Sequence, residues 1–189
     1  MILFLVLGFW PVGIFFGVLA AFMAYFFRDP RRQPPTDPSL VVAPADGLVT
    51  RVEVIDEGKA GSATLVSIFL SPLDVHINRA PIAGKITDVS YTGGRFLMAT
   101  DERASLVNEQ NALTIEGDKI TVVCKQIAGI LARRIVCWKR AGERVELGER
   151  FGMIKFSSRT DILLPENVDV LVAKGNRVQG GTTIIGRIR

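Results

Sequence analysis

Apolar positions fall into two regimes that meet at Arg28. Residues Ile2 to Phe27 are uncharged and almost wholly apolar, whereas every charged side chain lies at or after Arg28. A continuous helix of that length would reach roughly 39 Å, against a bilayer hydrocarbon core of about 30 Å. One tilted span therefore fits. Gly8, Pro11 and Gly13 interrupt the run early, so a re-entrant or interfacial hairpin that returns to its own side competes with it. A signal peptide fits poorly, because neither a basic start nor a small-residue cleavage site precedes Arg28. Phe26 and Phe27 supply an aromatic interface, with Arg28, Arg31 and Arg32 just beyond. The positive-inside tendency then puts the following domain on the cytoplasmic side of a cell membrane. Residues 28–39, with Pro30, Pro34, Pro35 and Pro38, read as a short stiff linker.

From residue 40 to 189 the pattern is β-rich and predicts one domain. Short apolar runs over 40–54 flank the turn Pro44-Ala45-Asp46-Gly47, and Ala63 to Leu70 is an apolar run of strand length. Gly84 to Tyr91 alternates before Gly93-Gly94, and residues 112–115 and 119–123 flank Glu116-Gly117-Asp118, a hairpin signal. Phe96 to Gln110 is the best helix or long-loop segment, 127–134 is ambiguous, and 135–138 reads as strand. Near the end, Met153 to Phe156 reads as a strand entering a tight polar turn at Ser157 and Ser158, before a second apolar run, Ile162 to Leu164, that stops at Pro165. Gly142-Glu-Arg-Val-Glu-Leu-Gly148 recurs 33 residues later as Gly175-Asn-Arg-Val-Gln-Gly-Gly181. Two copies are too few for a solenoid. Such paired turns look like the crossed hairpins of barrel-sandwich modules. The expected fold is thus mainly β, a barrel-sandwich-like domain with few helices, preceded by a membrane-embedded helical segment over 1–27.

Charge and composition then remove some function classes. The net charge of +4 is spread along the chain and leaves no nucleic-acid footprint. Cys124 and Cys137 have no metal-ligand spacing, and one histidine cannot build a His-rich metal site; both cysteines read as buried thiols. Three residues form a candidate chemical set: Asp46 in its Pro-Ala-Asp-Gly turn, His76 as the sole imidazole, and Ser158 as a nucleophile. Each also has a plain structural reading, as an Asx-type turn, a core histidine and a turn hydroxyl.

Motif order adds what composition cannot. Phe27-Arg-Asp-Pro30, Pro44-Ala-Asp-Gly47, Ser71-Pro-Leu-Asp-Val-His-Ile-Asn-Arg79, Gln126-Ile-Ala-Gly-Ile-Leu-Ala-Arg-Arg-Ile135 and Met153-Ile-Lys-Phe-Ser-Ser-Arg-Thr-Asp161 follow one another here. Together they resemble the short-form phosphatidylserine decarboxylases, a family that includes archaetidylserine decarboxylases. The resemblance implies a self-cleaving proenzyme of a membrane phospholipid decarboxylase. Ser158 would be the precursor of a covalent pyruvoyl group, with cleavage between Ser157 and Ser158 into fragments 1–157 and 158–189. By the same resemblance, His76 is the base that activates the serine and returns a proton to the substrate carbon, and Asp46 the carboxylate that orients it. No metal is implied, and homo-oligomerisation stays open.

Two positions depart from the family pattern. Longer members carry a second histidine where this chain has Arg79, and the residue before the nucleophile is normally glycine where this chain has Ser157. A Cβ and hydroxyl at the scissile carbonyl hinder attack on it, so the expected state is a proenzyme whose maturation is blocked or slow. Two readings from other classes compete: a membrane-tethered barrel-sandwich binding module, and a membrane peptidase pairing Ser158 with Lys85 or Lys125.

Overall fold

The computed structural model describes Gly8 and residues 10–56, 62–99, 101, 103–130, 134–156 and 158–189. A helix, α1 (Trp10–Phe26), precedes an antiparallel β domain with one further helical turn, α2 (Ala104–Val107). α1 begins where Pro11 is tolerated, in the first helical turn. It ends before Asp29-Pro30, because the residue ahead of a proline avoids the helical region. The Arg28 guanidinium donates to the Tyr25 carbonyl at 2.9 Å and satisfies part of the C-terminal end. With 17 residues, α1 is about 26 Å long. Among the described residues no helix is long and apolar enough to cross a membrane. The expected helix is present, but the single span is not supported by it.

The strands are β1 (Leu40–Val42), β2 (Gly47–Asp56), β3 (Ser62–Leu70), β4 (Ile77–Arg79), β5 (Gly84–Thr92), β6 (Gln110–Glu116), β7 (Thr121–Ala128), β8 (Ile135–Cys137), β9 (Arg144–Val145), β10 (Arg150–Ile154), β11 (Ser158–Pro165), β12 (Val168–Val170), β13 (Arg177–Val178) and β14 (Ile184–Ile188). Eight form one sheet in the order β13-β2-β3-β11-β7-β6-β5-β9, and two three-stranded sheets, β1-β14-β12 and β4-β10-β8, complete the domain. The core joins Val49, Val66, Ile68, Leu113, Ile115, Phe151, Ile162 and Leu164, all fully buried. The β6–β7 hairpin closes at the expected turn, where the Gly117 amide donates to the Ile120 carbonyl at 2.9 Å.

Two segments differ from the sequence reading. Over 96–110, α2 is a single turn and Gln110 already belongs to β6. From Ser158 on, the polar stretch is strand rather than turn: Ser158, Arg159, Thr160 and Asp161 are buried residues that open β11. Arg159 and Asp161 bond each other along one face, with Nε–Oδ1 2.6 Å and Nη2–Oδ2 2.7 Å. Mutual pairing is what allows two charges inside a sheet.

The repeat is structural as well as sequential. Gly142 and Gly175 both have φ of 95°, and Gly148 and Gly181 have 73° and 79°; only glycine adopts this left-handed region without strain. Each copy docks on an Ala-Pro-x-x-Gly segment. The Gly181 amide donates to the Ala43 carbonyl and the Gly148 amide to the Ala80 carbonyl, both at 2.8 Å. Val178 pairs with Gly47, and Val145 with Gly84. The two segments also bond each other, from the Val42 amide to the Pro81 carbonyl (3.0 Å) and from the Arg79 amide to the Pro44 carbonyl (2.9 Å). The domain therefore has an approximate internal two-fold relation.

Candidate active site

β4 and β11 bring His76 and Ser158 to the same region. His76 immediately precedes β4, and its carbonyl accepts from the Ile154 amide at 3.3 Å, at the end of β10. Ser158 is the first residue of β11, paired with Leu70 on one side and Ala128 on the other. Two residues further along each segment, Asn78 Nδ2 donates to Thr160 Oγ1 at 3.0 Å. Gln126 Nε2 donates to Asn78 Oδ1 (2.9 Å), and Asn111 Nδ2 to Gln126 Oε1 (3.0 Å). This buried amide chain fastens the histidine strand across the face of the large sheet that carries the serine. Gly152 makes room for it, since a Cβ there would lie 2.7 Å from Gln126 Nε2 and 2.4 Å from the Val136 carbonyl oxygen.

His76 and Ser158 are both fully buried. His76 Nε2 and Ser158 Oγ have no hydrogen-bond partner among the described residues. Buried polar atoms are nearly always satisfied, so two unpaired ones in one region call for an explanation beyond packing. The other imidazole nitrogen, Nδ1, lies 3.0 Å from the Asp74 carbonyl oxygen. A carbonyl only accepts, so Nδ1 carries the proton and Nε2 holds the free lone pair. Burial pushes the His76 pKa down to about 4, against smaller opposing effects from the Asp74 carbonyl and carboxylate. The imidazole is thus a neutral base at physiological pH. Phe26, the last residue of α1, packs against it at a tilt, with ring centroids 4.3 Å apart. Phe26 also stacks on Phe156 at 4.5 Å, and Phe156 is the one described non-glycine residue with positive φ, at 60°.

Asp46 bonds other groups. Its Oδ2 accepts from Arg32 Nη2 at 2.7 Å and its Oδ1 from the Gly180 amide at 2.8 Å. Burial raises its pKa, against the Gly180 amide and the Arg32 charge. Asp46 joins the linker to the second repeat loop and makes no hydrogen bond to His76 in the described structure. Arg79 lies near it, held by the carbonyls of Gly148 and Pro30 and by Asp29, each at 3.1 Å. Lys125 pairs with Asp161 in the β7–β11 register, whereas Ser158 pairs with Ala128. Alternation puts Lys125 on the opposite face of the sheet from Ser158. Lys85 sits on β5, three strands away from β11. Neither lysine completes a dyad with the serine.

The family profile described as Phosphatidylserine decarboxylase matches residues 19–186. The chain is 47% identical over 178 residues to a phosphatidylserine decarboxylase proenzyme of Pelodictyon phaeoclathratiforme, covering 94% of this chain and 84% of the relative. A proenzyme of the same name from Symbiobacterium thermophilum is 47% identical over 182 residues, covering 95% and 85%. One from Carboxydothermus hydrogenoformans is 45% identical over 186 residues, covering 97% and 87%. The chain belongs to the phosphatidylserine decarboxylase family.

Within this phosphatidylserine decarboxylase frame, sequence reasoning missed Asp74, whose carbonyl sets the His76 tautomer, and Phe26, whose ring covers it. Asp74 stands two residues before the histidine in the same motif, and that proximity was the available signal. Phe26 had none for such a role: with Phe27 it reads as an aromatic at the membrane interface. Ser157 lies outside the described residues.

Proposed function

We propose that the chain is a self-processing decarboxylase that converts phosphatidylserine to phosphatidylethanolamine and CO2. The observation that carries this reading is the pair of buried atoms, His76 Nε2 and Ser158 Oγ, left without a partner among the described residues in a chain of this family. In maturation, Nε2 takes the Ser158 hydroxyl proton as Oγ attacks the Ser157 carbonyl carbon. The Ser157–Ser158 C–N bond breaks as the C–O ester bond forms, and the proton passes to the freed nitrogen. Loss of the Ser158 α-proton then expels the ester carboxylate as the new C-terminus of fragment 1–157. The dehydroalanine left at residue 158 takes up water and loses ammonia, which yields a pyruvoyl group on fragment 158–189.

The residues present fit such a group. Position 158 begins β11 and is pinned by strand pairing on both sides, with a neutral imidazole in the same region. The pyruvoyl carbonyl supplies the electron-withdrawing centre for decarboxylation. His76 Nε2 takes a proton from the entering substrate ammonium and returns it to the carbon that lost the carboxylate, and water restores the proton of the amine on release. Asp46, through Arg32 and Gly180, holds the linker and the second repeat loop in place. The reciprocal repeat turns support reading the domain as barrel-sandwich-like. The apolar N-terminal segment and the Arg28–Arg32 cations support association with the cytoplasmic face of the cell membrane.

Ser157, in place of the family's glycine, obstructs the first step, so the chain as given is an unprocessed proenzyme. Intact-mass measurement beside Ser157→Gly tests this. The unaltered chain should run as one species of 20.7 kDa. Ser157→Gly should split at 157/158, yield a small fragment reactive with a hydrazine, float with phosphatidylserine vesicles and release CO2 from them. Efficient cleavage of the unaltered chain would refute the block. A Ser157→Gly chain with no carbonyl group would refute the assignment of Ser158.

A further inference from the structure

The end of α1 is built into the site rather than beside it. Phe26 is fully buried although most of the helix is exposed: Phe15 is 64% and Val18 64% exposed. Its ring meets His76 at 4.3 Å with planes 37° apart and Phe156 at 4.5 Å with planes 22° apart, and Phe27 packs edge-on against it at 5.0 Å. Phe156 needs such support. A left-handed backbone costs a residue with a Cβ roughly 1–2 kcal/mol, and it persists only where surrounding contacts impose it. That backbone lies two residues before the nucleophile, so the ring that holds it also sets the direction in which the chain enters β11.

We propose that Phe26 is a positioning residue of the self-processing site: one ring fixes the His76 imidazole and the left-handed Phe156 together. The N-terminal helix is then part of the machinery that aims base and nucleophile at each other. This inference rests on the roles assigned above to His76 and Ser158. It has a second consequence for the base itself. Phe26 is one of the groups that keep water from the imidazole, and the charged groups acting on that ring are Asp74 and Arg28.

His76 is the only histidine in the chain, so its ring protons give one unambiguous NMR titration, measurable in the uncleaved full-length protein in micelles. Phe26→Ala should move the His76 midpoint upward, from near 4 toward the ordinary 6.5, by more than one pH unit. Phe26→Leu, which keeps an apolar side chain without a ring, should move it less. Phe15→Ala, the same truncation at an exposed ring far from the site, should leave it in place. In the Ser157→Gly background, Phe26→Ala should slow self-cleavage roughly ten-fold or more, since small misplacements of reacting groups cost rate steeply. Phe15→Ala should cleave at the parental rate. An unmoved titration in Phe26→Ala and Phe26→Leu, or parental cleavage in both, would overturn the role of Phe26. If Ser157→Gly itself stays intact, the maturation reading fails, and the titration still decides whether Phe26 covers the imidazole.

Discussion

At the scale of single residues, His76 trades stability for reactivity. Its Nε2 is desolvated without a partner in the described structure, which lowers the folded pKa to about 4 from an ordinary 6.5. The unfolded chain therefore binds a proton in the window between those values that the folded chain refuses. The contribution of this group is nil above pH 6.5 and becomes destabilising as pH drops toward 4, by about 3 kcal/mol across the window. Replacing the ring by His76→Leu should abolish most of this acid sensitivity and leave the protein at least as stable at neutral pH. Urea unfolding at pH 7.5 and pH 4.5, wild type beside variant, measures the difference. Equal acid sensitivity in both would place the titrating group elsewhere.

At the scale of elements, the buried amide chain from Asn111 through Gln126 and Asn78 to Thr160 ties β6, β7, β4 and β11 together. Asn78→Leu would leave the Thr160 hydroxyl and a Gln126 N–H without partners, and an unsatisfied buried group costs ~1–3 kcal/mol. The expected result is a lower denaturation midpoint together with slower self-cleavage in a Ser157→Gly chain. Normal cleavage would show that the chain of amides only holds the fold. The same elements show what the sequence could and could not disclose. β3, β5 and the β6–β7 hairpin were legible because their apolar runs are bounded by glycine, proline or aspartate turns. The start of β11 was not: Ser158 to Asp161 carries polar and charged side chains that ordinarily signal a turn. What buries them is partnership, Arg159 with Asp161 and Thr160 with Asn78, and in the second case the partner is 82 residues away in the chain. Among the candidate site residues, Ser158 and His76 were singled out by motif order. That Asp46 bonds Arg32 and the Gly180 amide was not foreseeable, because it depends on where the linker and the second repeat loop come to rest.

At the scale of the whole molecule, cleavage at 157/158 would cut the chain beside its central strand. All eight residues of β11 pair with β3 and six with β7, and β12, β13 and β14 of the same fragment occupy two of the sheets. Fragments 1–157 and 158–189 should therefore co-elute in size-exclusion chromatography and separate only under denaturant; dissociation in native buffer would contradict the sheet order. The internal two-fold relation carries a different lesson. Ala43-Pro44-Ala45-Asp46-Gly47 in one half answers Ala80-Pro81-Ile82-Ala83-Gly84 in the other. Where Asp46 takes the Gly180 amide, the opposite half presents Ala83 and Leu147, which line a hollow of about 470 Å³ together with apolar and charged side chains. The two halves share a frame, and the contact between a turn carboxylate and a repeat-loop amide is made at Asp46 and Gly180 while Ala83 stands at the matching position.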